Sequence, residues 1–313
     1  MVCAAALSLV PAAAFDLQGH RGARGLMPEN TLAGFAHALR LGVTTLELDA
    51  AITADAVPVA SHDPALNPAL TRDASGRWLQ GPGPLIRSLP LARLQGYDVG
   101  RTDPGSAYGR NFPIQQARDG ETIPTLASVF ALAQRLGADT VRFNIETKLF
   151  PDRPDDTPDV SRFVDAVLAV VREAGVARRV TIQSFDWRSL RLVQQREPSI
   201  ATAYLTTESP RFNNVRNAAW TDGMDWRAHG STAHMVHASG GRTWSPNFAD
   251  IDAAAVKAAQ QLGLRVIPWT VNEPTDMDRL IGWGVDGIIT DYPDRLRTAL
   301  QRAGLTLPPP LPP

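Results

Sequence analysis

Thr44-Thr45-Leu46-Glu47-Leu48-Asp49-Ala50-Ala51-Ile52 is a run of strand-forming residues that carries two carboxylates two places apart. Side chains at alternate strand positions share a face, so Glu47 and Asp49 point one way and Leu48 the other. Outward from this stretch, further short apolar runs read as strands at Phe15–Leu17, Val57–Ser61, Thr140–Glu146, Arg179–Gln183, Ile200–Leu205, near Trp244, Leu264–Trp269 and Gly287–Ile289. Segments with helical spacing separate them: 30–41, 126–136, 160–174, 187–196, 251–262, 275–283 and 293–303. Strands alternating with helices define an α/β chain with a parallel sheet, and the strand count is close to that of a closed eight-stranded barrel. Gly42, Gly137, Gly175 and Gly263 stand just past helix ends, and Pro293 suits a first turn.

Two stretches break the rhythm. Residues 63–122, with Gly81-Pro82-Gly83-Pro84 and Asp103-Pro104-Gly105, offer no helix of useful length and read as an insertion over the barrel mouth. Residues 206–250 hold Phe212, Trp220, Met224, Trp226, Met235, Trp244 and Phe248, and read as a long rim loop packing its own aromatics, with an active-site lid as the competing account.

At 313 residues and 44% hydrophobic composition the chain can bury a full core, and we expect one barrel domain over 15–303. Thirty-one basic against 32 acidic residues leave a net charge of −1, so no global field draws in nucleic acid or an acidic membrane. Any anion must be held by local charges.

Residues 1–14 are apolar, too short to span a bilayer, and end in Ala12-Ala13-Ala14, the small-residue pattern of a cleaved signal peptide. Cleavage after Ala14 would send the protein to the periplasm or the medium and remove Cys3, the sole cysteine, which excludes a disulfide, a thiolate nucleophile and cysteine-ligated zinc. The tail from 304 to 313, with Pro308-Pro309-Pro310-Leu311-Pro312-Pro313, is expected to trail as an extended polyproline segment.

The chemistry concentrates at run ends. His20 lies in Gln18-Gly19-His20-Arg21-Gly22, His62 in Ala60-Ser61-His62-Asp63, and Glu146 in Asn144-Ile145-Glu146-Thr147-Lys148. In a parallel barrel all such ends meet on one face. Three carboxylates gathered there would repel and raise at least one pKa unless a cation neutralised them. All-oxygen ligation by Glu47, Asp49 and Glu146 favours Ca²⁺ or Mg²⁺. One imidazole of His20 and His62 can deprotonate an attacking hydroxyl while the other protonates the leaving oxygen, and spacing does not say which. Arg21 and Lys148 can reach phosphate oxygens or, alternatively, form ion pairs within the barrel. Gln183 can bond substrate or a metal-bound water, and Trp269 either walls the pocket or belongs to the core. His37, inside a helix, and His229, His234 and His237 in the rim stretch read as surface or loop residues. No Gly-x-x-x-x-Gly-Lys-Ser/Thr or Gly-x-Ser-x-Gly stretch supports a P-loop NTPase or an α/β-hydrolase.

The series His20-Arg21-Gly22, Pro28-Glu29-Asn30-Thr31, Glu47-Leu48-Asp49, His62-Asp63, Ile123-Pro124-Thr125-Leu126, Asn144-Ile145-Glu146-Thr147-Lys148 and Asp286-Gly287-Ile288-Ile289-Thr290-Asp291 resembles the glycerophosphodiester phosphodiesterase family. The resemblance implies a (β/α)8 TIM barrel with a small insertion after the His62 strand. It implies a divalent cation on Glu47, Asp49 and Glu146, with His20 and His62 as acid and base. It also implies hydrolysis of glycerophosphodiesters such as glycerophosphocholine and glycerophosphoethanolamine to glycerol 3-phosphate and an alcohol, through attack of the neighbouring glycerol hydroxyl and a cyclic phosphate that water opens. Two other readings compete: a phospholipase-D-like or phosphoinositide-type enzyme for lysophospholipids, docking through the aromatic rim, and a non-catalytic glycerophosphodiester-binding barrel.

Overall fold

A computed structural model describes residues 14–311. Among the described residues there are nine strands: β1 (Asp16–Gly19), β2 (Thr45–Ile52), β3 (Pro58–Ala60), β4 (Arg142–Thr147), β5 (Val180–Ser184), β6 (Ala201–Thr206), β7 (Thr243–Pro246), β8 (Arg265–Val266) and β9 (Gly287–Thr290). Eight of them pair in parallel in the order β8-β7-β6-β5-β4-β2-β1-β9, a nearly closed barrel with helices between the strands. The seam between β8 and β9 is bridged by backbone bonds from Asp286 N to Val266 O at 2.9 Å and from Ile289 N to Pro268 O at 3.0 Å. β8 is shorter than the expected 264–269 run because Pro246 of β7 has no N–H to give the Ile267 carbonyl, which the Ser245 hydroxyl takes instead at 2.7 Å.

The expectation of a barrel strand at 57–61 is corrected. β3 pairs antiparallel with β2, in the register Ala50↔Ala60 and Ile52↔Pro58. Only Thr53 to Val57 separates the two, enough for a hairpin but far short of the dozen or more residues a parallel crossover needs.

Seven helices fall where the spacing places them, with boundaries set by caps. The first spans Leu32–Leu41 rather than starting at 30, because the Thr31 side chain accepts from Gly34 N and closes the first turn, and Gly42 at φ 78° ends it. Phe35, Ala38 and Leu39 of this helix are buried against Leu17 and Leu46 of the sheet; each large apolar side chain so buried contributes about 1.5–3 kcal/mol.

The insertion forms only short helical turns at Ile86–Ser88, Leu91–Leu94 and Gly109–Asn111. It has a small apolar core of its own, in which Leu66, Ile86, Leu94 and Ile123 pack on Ala51 and Val59 of the β2–β3 hairpin. The stretch 206–250 is not one loop. Besides β7 it contains helices Trp226–His229 and Thr232–Ala238, capped by Asp225 and Ser231 and separated by the left-handed Gly230. Seven residues are too few to show a helical period in the sequence. His234 and His237 lie on the exposed side of the second helix, opposite the buried Met235 and Val236.

As far as Leu311 the tail does not trail. Arg297 Nη1 donates to Gly42 O at 3.0 Å and Pro308 O at 2.8 Å, and Leu307 and Leu311 pack against the core. The expected leader, residues 1–14 with Cys3, lies outside the described residues except for Ala14.

Candidate active site

The turn leaving β1 is built for close approach. A Cβ on Gly19 would lie 2.1 Å from Gly22 O, so no other residue fits, and Gly22 N closes the turn on Gly19 O at 3.1 Å. Arg21 between them takes φ 51°, a left-handed conformation that costs a non-glycine residue about 1–3 kcal/mol. That strain aims its backbone N–H at Glu47 Oε2, 2.8 Å away.

Register brings the acids level. Asp49 of β2 sits opposite Glu146 of β4, and Glu146 opposite Gln183 of β5. Glu47, Asp49 and Glu146 offer oxygens that all lie within 4.8 Å of one another, and all three are buried. Burial, then Asp49 and Glu146, pushes the Glu47 carboxyl well up. Burial likewise lifts Glu146 to about 7, with Lys148 pulling down and Asp49 pushing up. Burial would also raise Asp49, but Arg21, His62 and Lys148 hold it well below the usual carboxylate range. Asp49 Oδ1 is buried without a hydrogen-bond partner. An orphaned anionic oxygen, two carboxyls forced toward protonation and an all-oxygen donor set fit a hard divalent cation.

Each imidazole is oriented by an aspartate. His20 Nδ1 lies 2.6 Å from Asp291 Oδ1, and His62 Nδ1 lies 2.8 Å from Asp63 Oδ1. Burial alone would raise Asp291, yet Arg24 and His20 hold it well below the ordinary range; Asp63 is held down at about 2 chiefly by the bond and charge of His62 against its own burial. Ionised carboxylates only accept, so each Nδ1 is the donor and each neutral ring keeps its Nε2 lone pair for the cavity. Burial with Arg24 pushes His20 down to about 4 against the pull of Asp291, and burial with Arg21 and Lys148 lowers His62. His62 is the more open of the two, with 32% of its side chain exposed against 12% for His20.

Both imidazoles, Glu47, Glu146, Arg21, Lys148, Gln183 and Trp269 line one cavity of about 190 Å³ at the C-terminal ends of the strands. The cations are tethered. Arg21 Nη1 donates to Glu29 Oε1 at 2.8 Å, and Lys148 Nζ to Glu146 Oε1 at 2.8 Å. Gln183 spends its amide within the protein, donating from Nε2 to Glu47 Oε1 at 2.7 Å and accepting at Oε1 from Asn144 Nδ2 at 2.8 Å. Trp269 donates to Ser245 O at 2.8 Å and sets its ring edge-to-face on Phe185, 5.3 Å between centroids, so it walls the cavity.

Sequence reasoning did not assign roles to Asp291, Arg24, Asn30, Asp63 or Phe185. Asn30 Nδ2 donates to Asp49 Oδ2 at 2.9 Å, and Arg24 grips both oxygens of Asp291. The signal for Asp291 is ring closure: β1 pairs with β9, Gly19 opposite Thr290, so the residues that follow each strand must be neighbours.

A parallel barrel whose top face gathers three acids able to hold a metal, two carboxylate-tethered imidazoles and two cations defines a phosphodiester hydrolase. The sequence profile of the glycerophosphoryl diester phosphodiesterase family matches residues 20–295. A glycerophosphodiester phosphodiesterase of Caldanaerobacter subterraneus is 28% identical over 91% of this chain and 97% of its own length. One of Bacillus subtilis is 29% identical over 88% of this chain and 83% of its own length. Among solved structures, a Silicibacter pomeroyi protein of the same proposed class superposes with a TM-score of 0.85 at 38% identity, covering 95% of this chain and 96% of the other. An Oleispira antarctica phosphodiesterase, at 24% identity, a TM-score of 0.67 and coverage of 91% and 96%, shares the fold. The chain belongs to the glycerophosphoryl diester phosphodiesterase family. Its activity is the hydrolysis of glycerophosphodiesters.

Proposed function

We propose that this enzyme cleaves small deacylated glycerophosphodiesters, glycerophosphocholine and glycerophosphoethanolamine among them, to glycerol 3-phosphate and the free alcohol, with His20 and His62 as the acid–base pair and Ca²⁺ or Mg²⁺ as cofactor. The observation that carries this reading is the pair of imidazoles, each tethered at Nδ1 and open at Nε2, on the cavity that Glu47 and Glu146 of the acidic triad also line. Glu47, Asp49 and Glu146 would hold the cation, which would supply charge stabilisation for a phosphoryl oxygen. Arg21 and Lys148, fixed by Glu29 and Glu146, stand ready for the remaining phosphate oxygens. One imidazole takes the proton of the attacking hydroxyl while the other gives one to the departing alcohol, and the two exchange roles when water opens the cyclic phosphate. The product sn-glycerol 3-phosphate is bound in the Oleispira antarctica enzyme, in keeping with this substrate class. Packing of the rim aromatics also favours a small substrate: Trp220 and Trp244 are buried, and Phe212, though exposed, sets its ring edge-on against Phe185 at 5.6 Å and Trp220 at 4.9 Å.

Glycerophosphocholine turnover should require a divalent cation, stop with EDTA and fall by about 10²–10⁴-fold in His20→Ala and in His62→Ala. Full activity in both variants would overturn the assignment. We place the enzyme in the periplasm or outside the cell on the strength of residues 1–14, and N-terminal mass measurement on the exported protein should begin at Phe15. No helix among the described residues is long and apolar enough to cross a membrane.

A further inference from the structure

One side chain of the insertion, Tyr108, bonds directly to the arginines beside the imidazoles. Tyr108, half-buried beside the turn Gly109–Asn111, sends its hydroxyl to Glu29 Oε2 and accepts from Arg24 Nη1 at 3.1 Å and Arg21 Nη1 at 3.5 Å. A phenol has one proton and two lone pairs, so these three bonds use all it has. Glu29 is ionised: burial would raise it, but Arg21 and Arg24 outweigh that.

Arg24 carries the contact onward. Its Nε and Nη2 bond Asp291 Oδ1 and Oδ2 at 2.9 and 3.0 Å, and Asp291 Oδ1 accepts from His20 Nδ1 at 2.6 Å. The rest of this insertion segment fixes Arg24 from other sides: the Phe112 ring lies 4.9 Å from its guanidinium, Gln115 Nε2 donates to its carbonyl at 2.7 Å, and Gln116 N bonds Leu26 O at 2.8 Å. Tyr108 itself does not line the cavity.

We infer that Tyr108, carried by the insertion, is a positioning residue that sets the His20 imidazole for proton transfer through Arg24 and Asp291. Bidentate arginine–carboxylate pairs transmit orientation because both planes are fixed at once. Without the phenolic oxygen Arg24 loses the acceptor on its outer nitrogen and can rotate out of the plane of Asp291, and the imidazole follows. The insertion is then a working part of the site, beyond its role as cover. This rests on the reading of His20 as a catalytic residue.

Tyr108→Phe keeps the ring against Phe112, 5.4 Å between centroids, and removes only the hydroxyl. In glycerophosphocholine turnover with saturating Mg²⁺ or Ca²⁺, kcat should fall about ten-fold, the low end of the loss seen for supporting contacts because Tyr108 stands three bonds behind the imidazole, with KM within about two-fold of wild type. In ¹⁵N-histidine-labelled protein, the imidazole N–H signal assigned by its loss in His20→Ala should shift or broaden in Tyr108→Phe. Phe112→Leu, which loosens Arg24 from its other side, should move both readouts the same way. Tyr97→Phe, in the insertion's own small core, should move neither. Unchanged kcat, a raised KM with unchanged kcat, an undisturbed His20 signal, or equal effects in Tyr97→Phe would each overturn the inference. Loss of turnover in His20→Ala alone would leave the catalytic reading standing and sink only this one; full turnover in His20→Ala would sink the reading beneath it.

Discussion

Asp63 and Asp291 decide what the two imidazoles can do. Each fixes which ring nitrogen bears the proton, and an amide in its place can offer either an oxygen or an N–H to that nitrogen. Asp291→Asn and Asp63→Asn should therefore each lower kcat about ten- to a hundred-fold while KM stays near that of the parent, measured at saturating cation. At the other end of the barrel Asp16 does structural work. Burial would raise its pKa, but Arg142 at 2.9 Å, Arg265 at 3.5 Å and the Thr44 and Thr45 hydroxyls bring it below its ordinary value. A carboxyl depressed in the folded state stabilises above the unfolded pKa, about 3.8, and that stabilisation is lost as pH falls through the folded value. Thermal midpoints taken between pH 5 and pH 2 should fall less steeply in Asp16→Asn than in the parent; parallel slopes would refute it.

At the level of elements, the helix Leu32–Leu41 shows how a cap serves a site. Thr31 Oγ1 accepts from Gly34 N at 3.0 Å and donates to Pro28 O at 2.7 Å, which fixes the start of the helix directly behind Glu29 and Asn30. Thr31→Ala should cost about 1 kcal/mol in urea unfolding, and it should lower activity too, because Asn30 holds Asp49 and Glu29 holds Arg21. Much of this layer could be read before any coordinates. The glycines past helix ends, the carboxylate pair on β2 and the alternation of strands and helices are local and leave local marks. The β3 hairpin was within reach as well, since the short link from Thr53 to Val57 forbids a parallel crossover. What sequence alone did not yield were partnerships across long separations: His20 with Asp291, Tyr108 with Arg24, and the tail with Gly42 depend on ring closure and on where an irregular insertion lands. The tethering of Arg21 and Lys148 by carboxylates stood among the alternatives from the start, and only side-chain geometry could select it.

For the molecule as a whole, the acidic triad links metal, pH and stability. With its folded pKa raised to about 7 from an ordinary 4.5, Glu146 stabilises the metal-free protein at low pH, and that contribution is lost as pH rises through the folded value. Metal-free protein should thus lose stability between about pH 4.5 and 7, and saturating Mg²⁺ or Ca²⁺ should remove the slope. A cation at a hundred times its dissociation constant should add about 2.7 kcal/mol, and Glu47→Gln, Asp49→Asn or Glu146→Gln should abolish that gain in calorimetry.

Ala14 and the docked residues Pro308, Pro309 and Leu311 line the same groove beneath the barrel, beside Gly42 and Val43, whereas the imidazoles open at the far end. An anchor, a reporter or a solid support attached through residue 14 or residue 311 would therefore leave the mouth facing bulk solution, and joining these two residues by a short linker offers a natural route to a circularly permuted enzyme that still turns over its substrate.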